Sequence, residues 1–178
     1  EIARNFGYAA DERTLGVGRF MREYYLHART VHRVSARLIA RCQETLSRRR
    51  PVLRRLRQKG MAEGFGFYDG QVHLAAPPEK VFAKDPIRLM KVFWHAHQLG
   101  YELGVEVARA VEESLPLVDD GFRASPEARD LFFAILRNWG RVTPTLRLMH
   151  DLGFLGAYLP EFGELTCLVQ LDAYHKYT

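Results

Sequence analysis

The chain has only two cysteines in 178 residues, Cys42 and Cys167, with no C-x-x-C spacing, which excludes a disulfide framework and a thiolate zinc site. Both are expected to be buried free thiols. No stretch of about 18 apolar residues is long enough to cross a bilayer, and no basic-then-apolar leader precedes a small-residue cleavage site. A soluble, cytoplasmic chain is expected, with both ends reading as points inside a longer polypeptide. Catalytic signatures are equally scarce. A Gly-rich turn followed by D-x-D, which would hold divalent metal against a triphosphate, is missing, as is a P-loop. The adjacent acids Glu112-Glu113 and Asp119-Asp120 fall on a helix and in a loop, where neighbouring side chains diverge. His95 and His97, two apart on a helix, point about 200° away from each other and cannot share a metal. His150-Asp151, inside a helix, reads as a surface or capping pair, and His175 as structural. No nucleophilic triad can be argued from spacing alone.

What is present is a chain that is 47% hydrophobic with 26 Lys+Arg against 21 Asp+Glu, enough for one sizeable core and by default one domain over 1–178. Its net charge of +5 divides unevenly: residues 1–60 carry +10 and residues 61–178 carry −5. The basic excess peaks at Arg48, Arg49, Arg50, Arg54, Arg55 and Arg57. Such a run can grip RNA or polyphosphate, but it lacks the interleaved aromatics of a base-stacking surface, and a solvated face docked on an acidic neighbour is the simpler reading.

Periodicity predicts a mainly α fold, a helical bundle with one small inserted β-hairpin at about 65–75. Val17, Phe20, Met21, Tyr24, Ala28, Val31, Val34, Leu38 and Cys42 recur at three- and four-residue steps, giving a long amphipathic helix from about 11 to 47 within a basic region 11–60. Its tyrosines and small residues suit internal packing better than a membrane surface. Within 64–75, Asp69-Gly70 between Phe67 and Val72 is a hairpin turn signal, because both turn positions need positive φ. The bundle is expected over 79–171. Asp85 reads as an N-cap with Pro86 at the first helical position, for a helix that buries Ile87, Met90, Phe93, Trp94 and His97 and stops at Gly100. Further helices are expected from Val105 to Leu115, from the Ser125 cap with Pro126 and Glu127, and from Thr143-Pro144 to Leu152 before Gly153.

Three segments carry a family resemblance. Phe82-Ala83-Lys84-Asp85-Pro86-Ile87-Arg88-Leu89-Met90-Lys91-Val92-Phe93 resembles the F-x-x-D-P-x-R-L-x-(R/K)-x-F run that follows the catalytic domain in polymerase-beta-like nucleotidyltransferases. Thr145 to Gly163, with Gln170 to Thr178, resembles the end of the central helical region of the bacterial PII-protein uridylyltransferase/uridylyl-removing enzymes. Phe20 to Arg33 resembles the segment just after their nucleotidyltransferase core. The three occur in the right order over nearly the whole chain.

The resemblance implies the central helical region of an enzyme that adds UMP to a PII signalling protein and removes it, a region bracing the transferase against an HD domain and inert by itself. It implies Mg2+, with UTP as substrate, for the parent enzyme, and PII and the adjoining domains as partners. In the CCA-adding relatives an E-D-x-x-R motif offers its Asp and Arg to the incoming base. Asp85-Pro86-Ile87-Arg88 matches the last four positions, while Lys84 stands where the family has Glu. Asp85 and Arg88 are therefore candidates for positioning nucleotide, with capping of the helix as the alternative. Rival readings are the RNA-binding neck of a tRNA-nucleotidyltransferase relative and a non-catalytic module that docks another protein.

Overall fold

The computed structural model describes residues 2–9, 16–47 and 61–168. The basic run at Arg48, Arg49, Arg50, Arg54, Arg55 and Arg57, and also His175, lie outside the described residues. Two compact units are formed, one from residues 1–39 with 164–178 and one from Ala40 to Gly163.

The larger unit begins with a small sheet. Strands β1 (Met61–Ala62), β2 (Phe65–Tyr68), β3 (Gln71–Leu74) and β4 (Glu102–Leu103) lie in the order β1-β2-β3-β4. The expected hairpin is β2–β3, with Phe67 opposite Val72 and Tyr68 opposite Gln71 around the Asp69-Gly70 turn. Both turn residues have positive φ, 51° and 72°, as a two-residue turn requires. The sheet extends further than the sequence indicated. Glu63-Gly64, at φ 54° and 91°, makes a second tight turn that pairs β1 with β2, and β4 adds in parallel to β3. Phe65, Phe67 and Val72 are buried, so the sheet has the helical support a small hairpin needs.

Helices α3 (Arg88–Leu99), α4 (Val105–Glu113), α5 (Asp120–Ala124), α6 (Pro126–Arg137), α7 (Val142–Asp151), α8 (Phe154–Tyr158) and α9 (Pro160–Glu164) follow. A single π turn over Glu79–Ala83 buries Val81 and Phe82 ahead of α3. The central helix α3 packs on α6, α7 and the sheet. It buries Leu89, Met90, Val92, Phe93, Ala96 and His97, whereas Ile87 and Trp94 are only partly covered. Phe93, Phe122, Phe154 and Tyr158 form an aromatic chain, with the Phe93 and Phe154 rings 4.8 Å apart. Such contacts add to the gain from removing apolar area from water.

Helix ends follow local chemistry. Gly100 (φ 67°) and Gly153 (φ 78°) end α3 and α7 in the left-handed conformation, as expected. Helix α4 stops at Glu113, with a 3-10 turn over Leu115–Leu117 where Pro116 breaks the α pattern. Ser125 caps α6 through Ala128 N–H at 3.4 Å, and Asp119 caps α5 through Phe122 N–H at 2.8 Å. Asp119→Ala should therefore cost about 1 kcal/mol in urea unfolding, and Ser125→Ala, losing the longer bond, less.

In the smaller unit α1 (Ile2–Asn5) precedes the first part of α2 (Gly16–Ser47). The Phe6 and Phe20 rings stack at 5.8 Å, Tyr8 meets Phe20 edge-on at 5.4 Å, and the Tyr8 hydroxyl donates to Glu23. Arg22 Nη2 donates to the Glu164 carbonyl at 3.0 Å. The expected long helix is present, but its apolar stripe is not internal: Tyr24, Val31, Val34 and Leu38 are exposed. Cys42, on the same stripe of α2, is exposed too, and Cys167 is half-buried, so neither is the buried thiol expected. Among the described residues no helix is long and apolar enough to cross a membrane.

Candidate functional site

The two sequence-selected residues stand together at the entrance to α3, in a different arrangement from the one expected. Helix α3 starts at Arg88, and its N-cap position, Ile87, makes no side-chain cap. Asp85 does not cap with its carboxylate. Its carbonyl accepts from Arg88 N–H at 3.1 Å, and its Oδ2 lies 3.3 Å from Arg88 Nε. The carboxylate is drawn to the guanidinium one turn on instead of folding back on the backbone. That ion pair falls short of hydrogen-bond geometry, since Arg88 Nε is buried without a hydrogen-bond partner among the described residues. Arg88 is fixed from its other side, where Nη1 donates to the Val81 carbonyl of the π turn at 3.4 Å. Gly64 lets the β1–β2 turn approach: a Cβ there would lie 3.2 Å from Val81 and 3.5 Å from Arg88 Nη1.

Residues the sequence reading did not select continue the same stripe of α3. Lys91 and His95 follow Arg88 at helical three- and four-residue steps. Lys91 Nζ bridges two carboxylates from different elements, Glu63 Oε1 at 2.7 Å and Glu127 Oε1 at 2.9 Å. His95 Nε2 lies 3.2 Å from the other Glu63 oxygen, its ring against Phe65 and Phe67. Partial burial pushes the Glu63 carboxyl up, but hydrogen bonds from Lys91 and His95 outweigh it and hold it below the usual glutamate range. The hydrogen bond to Glu63 in turn raises Lys91, against a smaller opposing effect of burial.

A lowered carboxyl stabilises the fold above its unfolded value, and that contribution is lost as pH falls through its folded value. Urea midpoints should therefore drop as the pH is taken from 7 through the ordinary carboxylate range, and Glu63→Gln should flatten that part of the profile.

The three- and four-residue spacing of Arg88, Lys91 and His95 was the signal that could have joined them. Glu63 gave no signal, because it comes from a turn far away along the chain. Chemically the cluster is a closed set of ion pairs that clamps β1–β2, α3 and α6, with no nucleophile beside a base. Among the described residues no group of three His, Cys, Asp or Glu could hold a metal ion. His150 packs edge-on against Phe162 at 6.1 Å, and His97 turns to the opposite side of α3 from His95 and bonds Thr145.

Comparison with known proteins then places the chain. No solved structure matches it. Bifunctional uridylyltransferase/uridylyl-removing enzymes align with all of it: that of Caulobacter vibrioides at 33% identity over 186 residues, that of Bradyrhizobium sp. at 32% over 188, and that of Cereibacter sphaeroides at 29% over 180. The chain spans only about 20% of the length of the first two and 19% of the third. Residues 1–39 match the family described as GlnD PII-uridylyltransferase. Residues 67–158, which hold Arg88, Lys91, His95 and Glu127 but neither Glu63 nor β1, match the uridylyltransferase GlnD third domain, and the chain belongs to that family.

Proposed function

We propose that this chain is the central, non-catalytic brace of a bifunctional enzyme that adds UMP to a PII signalling protein and removes it. The observation that carries this reading is the alignment of the entire chain with about one-fifth of such enzymes. The closed ion-pair cluster agrees with it, because clamped charges hold elements in place and leave no free group for bond making. The transferase chemistry, with Mg2+ and UTP, and the hydrolytic chemistry of an HD domain then belong to parts of the parent enzyme outside these residues. A region joined to both is placed to couple them.

Within the brace, Asp85 and Arg88 are proposed to fix the start of α3 and to face nucleotide only when the transferase domain is added. The D-x-x-R spacing of Asp85 and Arg88 is the feature that favours this second role. Calorimetric titration of the chain alone, and of the parent enzyme with and without Asp85→Ala/Arg88→Ala, tests both roles. The chain alone should bind UTP–Mg2+ weakly or not at all and should turn over none, and tRNA should be silent as well. Saturable UTP binding abolished by Asp85→Ala/Arg88→Ala would make the segment part of the nucleotide site. tRNA binding that weakens steeply with salt would overturn the reading in favour of an RNA-binding neck.

A further inference from the structure

On the side of α3 away from the Arg88 cluster, a cavity of about 530 Å³ opens between the α3 C-terminus, β4 and α7. Its size falls within the range of small-molecule sites. Ala96, Tyr101, Leu103, Pro144 and Leu148 give it apolar walls, and its polar groups are few and held in place.

Arg141 is the first. Its Nη1 donates to the carbonyls of His97 at 3.2 Å and Gln98 at 3.4 Å, capping the last turn of α3. The guanidinium lies over Gly100, where a Cβ would come within 2.5 Å of Nη1 and 2.9 Å of Nη2, so glycine makes the cradle in which it rests. Nη2 and Nε are engaged by no other side chain or carbonyl of the described residues, and they leave a planar donor pair of the kind that recognises a carboxylate.

His97 is the second. It lines the cavity at 2% exposure, and its Nε2 has no hydrogen-bond partner among the described residues. Thr145 Oγ1 donates to the Arg141 carbonyl at 3.0 Å, so at 2.8 Å from His97 Nδ1 that same oxygen must accept. The network therefore assigns the proton to Nδ1 and leaves Nε2 as a bare acceptor. Burial, and secondly the charge of Arg141, lowers the imidazole's pKa and keeps it neutral. Nε2 is shut off from solvent, so the imidazole forms part of the inner wall of the cavity and adds no charge to it. Glu102 lines the same cavity with an exposed carboxylate, which disfavours polyanions such as a nucleoside triphosphate.

We infer that this cavity is a binding site for a small monocarboxylate with an apolar body, its carboxylate on the Nε–Nη2 edge of Arg141 and its body against Ala96, Leu103, Pro144 and Leu148. The site is separate from the Asp85–Arg88 cluster, and its occupancy does not depend on the reading given to that cluster.

The test is an NMR titration of the 178-residue chain with phenylacetate and 2-phenylethanol, following backbone amides. Phenylacetate should saturate, with shifts concentrated in 96–103 and 141–148, and the uncharged alcohol should bind about tenfold more weakly or worse. Arg141→Gln should weaken phenylacetate by about tenfold or more. Unsaturable or scattered shifts, or the alcohol binding as tightly as the acid, would overturn the site. Because the wild-type shift map decides location without any variant, poor folding of Arg141→Gln would not shield the inference.

Discussion

Phe154→Ala is expected to cost about 3–5 kcal/mol in urea unfolding monitored by circular dichroism, a large part of the roughly 5–15 kcal/mol that holds a typical domain together. The side chain is fully buried, with its ring against Phe93 at 4.8 Å, Phe122 at 6.0 Å and Tyr158 at 6.1 Å. It opens α8 immediately after the left-handed Gly153, and the space that truncation leaves is ringed by Phe93, Phe122 and Tyr158. Cavities that fail to collapse are the expensive ones. Phe133→Ala is the control, since Phe133 is 45% exposed and should lose about 1 kcal/mol at most. Equal losses from the two variants would show that the aromatic chain is not the centre of the core.

The second large effect is expected at Gly100. An alanine there would be held at φ 67°, at a cost of roughly 1–2 kcal/mol from Cβ sterics alone. Its Cβ would also displace the Arg141 guanidinium and with it the two bonds that cap α3. The two costs can be separated. In an Arg141→Ala background the displacement has nothing to act on, so Gly100→Ala should cost only its backbone share, and the double variant should be more stable than additivity predicts. Strict additivity in thermal or urea unfolding would mean that the arginine does not depend on the glycine.

Features decided by neighbours in sequence were readable from the residues, and those decided across space were not. Asp69-Gly70, Gly100, Gly153 and the Ser125-Pro126-Glu127 start each act within a few residues, and each stands where periodicity and turn chemistry put it. The Glu63-Gly64 turn escaped because glutamate is not a residue that announces a positive φ, and it is held there by Lys91 and His95 from a distant helix. Strand β4 escaped because two residues carry no period. At the candidate site, Asp85 and Arg88 were correctly paired, but the carboxylate satisfies the guanidinium and not the helix end, a choice that local propensity does not decide. The buried-thiol expectation failed at Cys42 for a related reason: the stripe of α2 was read correctly, but amphipathic spacing does not say whether anything covers the stripe.

The parallel pairing of β3 with β4 also sets an order of assembly. Glu102 N–H donates to the Gly70 carbonyl at 3.0 Å and Gly104 N–H to the Val72 carbonyl at 2.9 Å, joining the two ends of a loop that contains all of α3. The β1–β2 and β2–β3 turns join neighbours in sequence, whereas this pair closes a much longer loop and must wait until α3 has drawn it short. The Gly104 amide is thus a reporter for the completion of the sheet. In pulsed hydrogen exchange during refolding it should become protected after the amides of β2 and β3, and in the native state it should open with the detachment of α3 from the sheet.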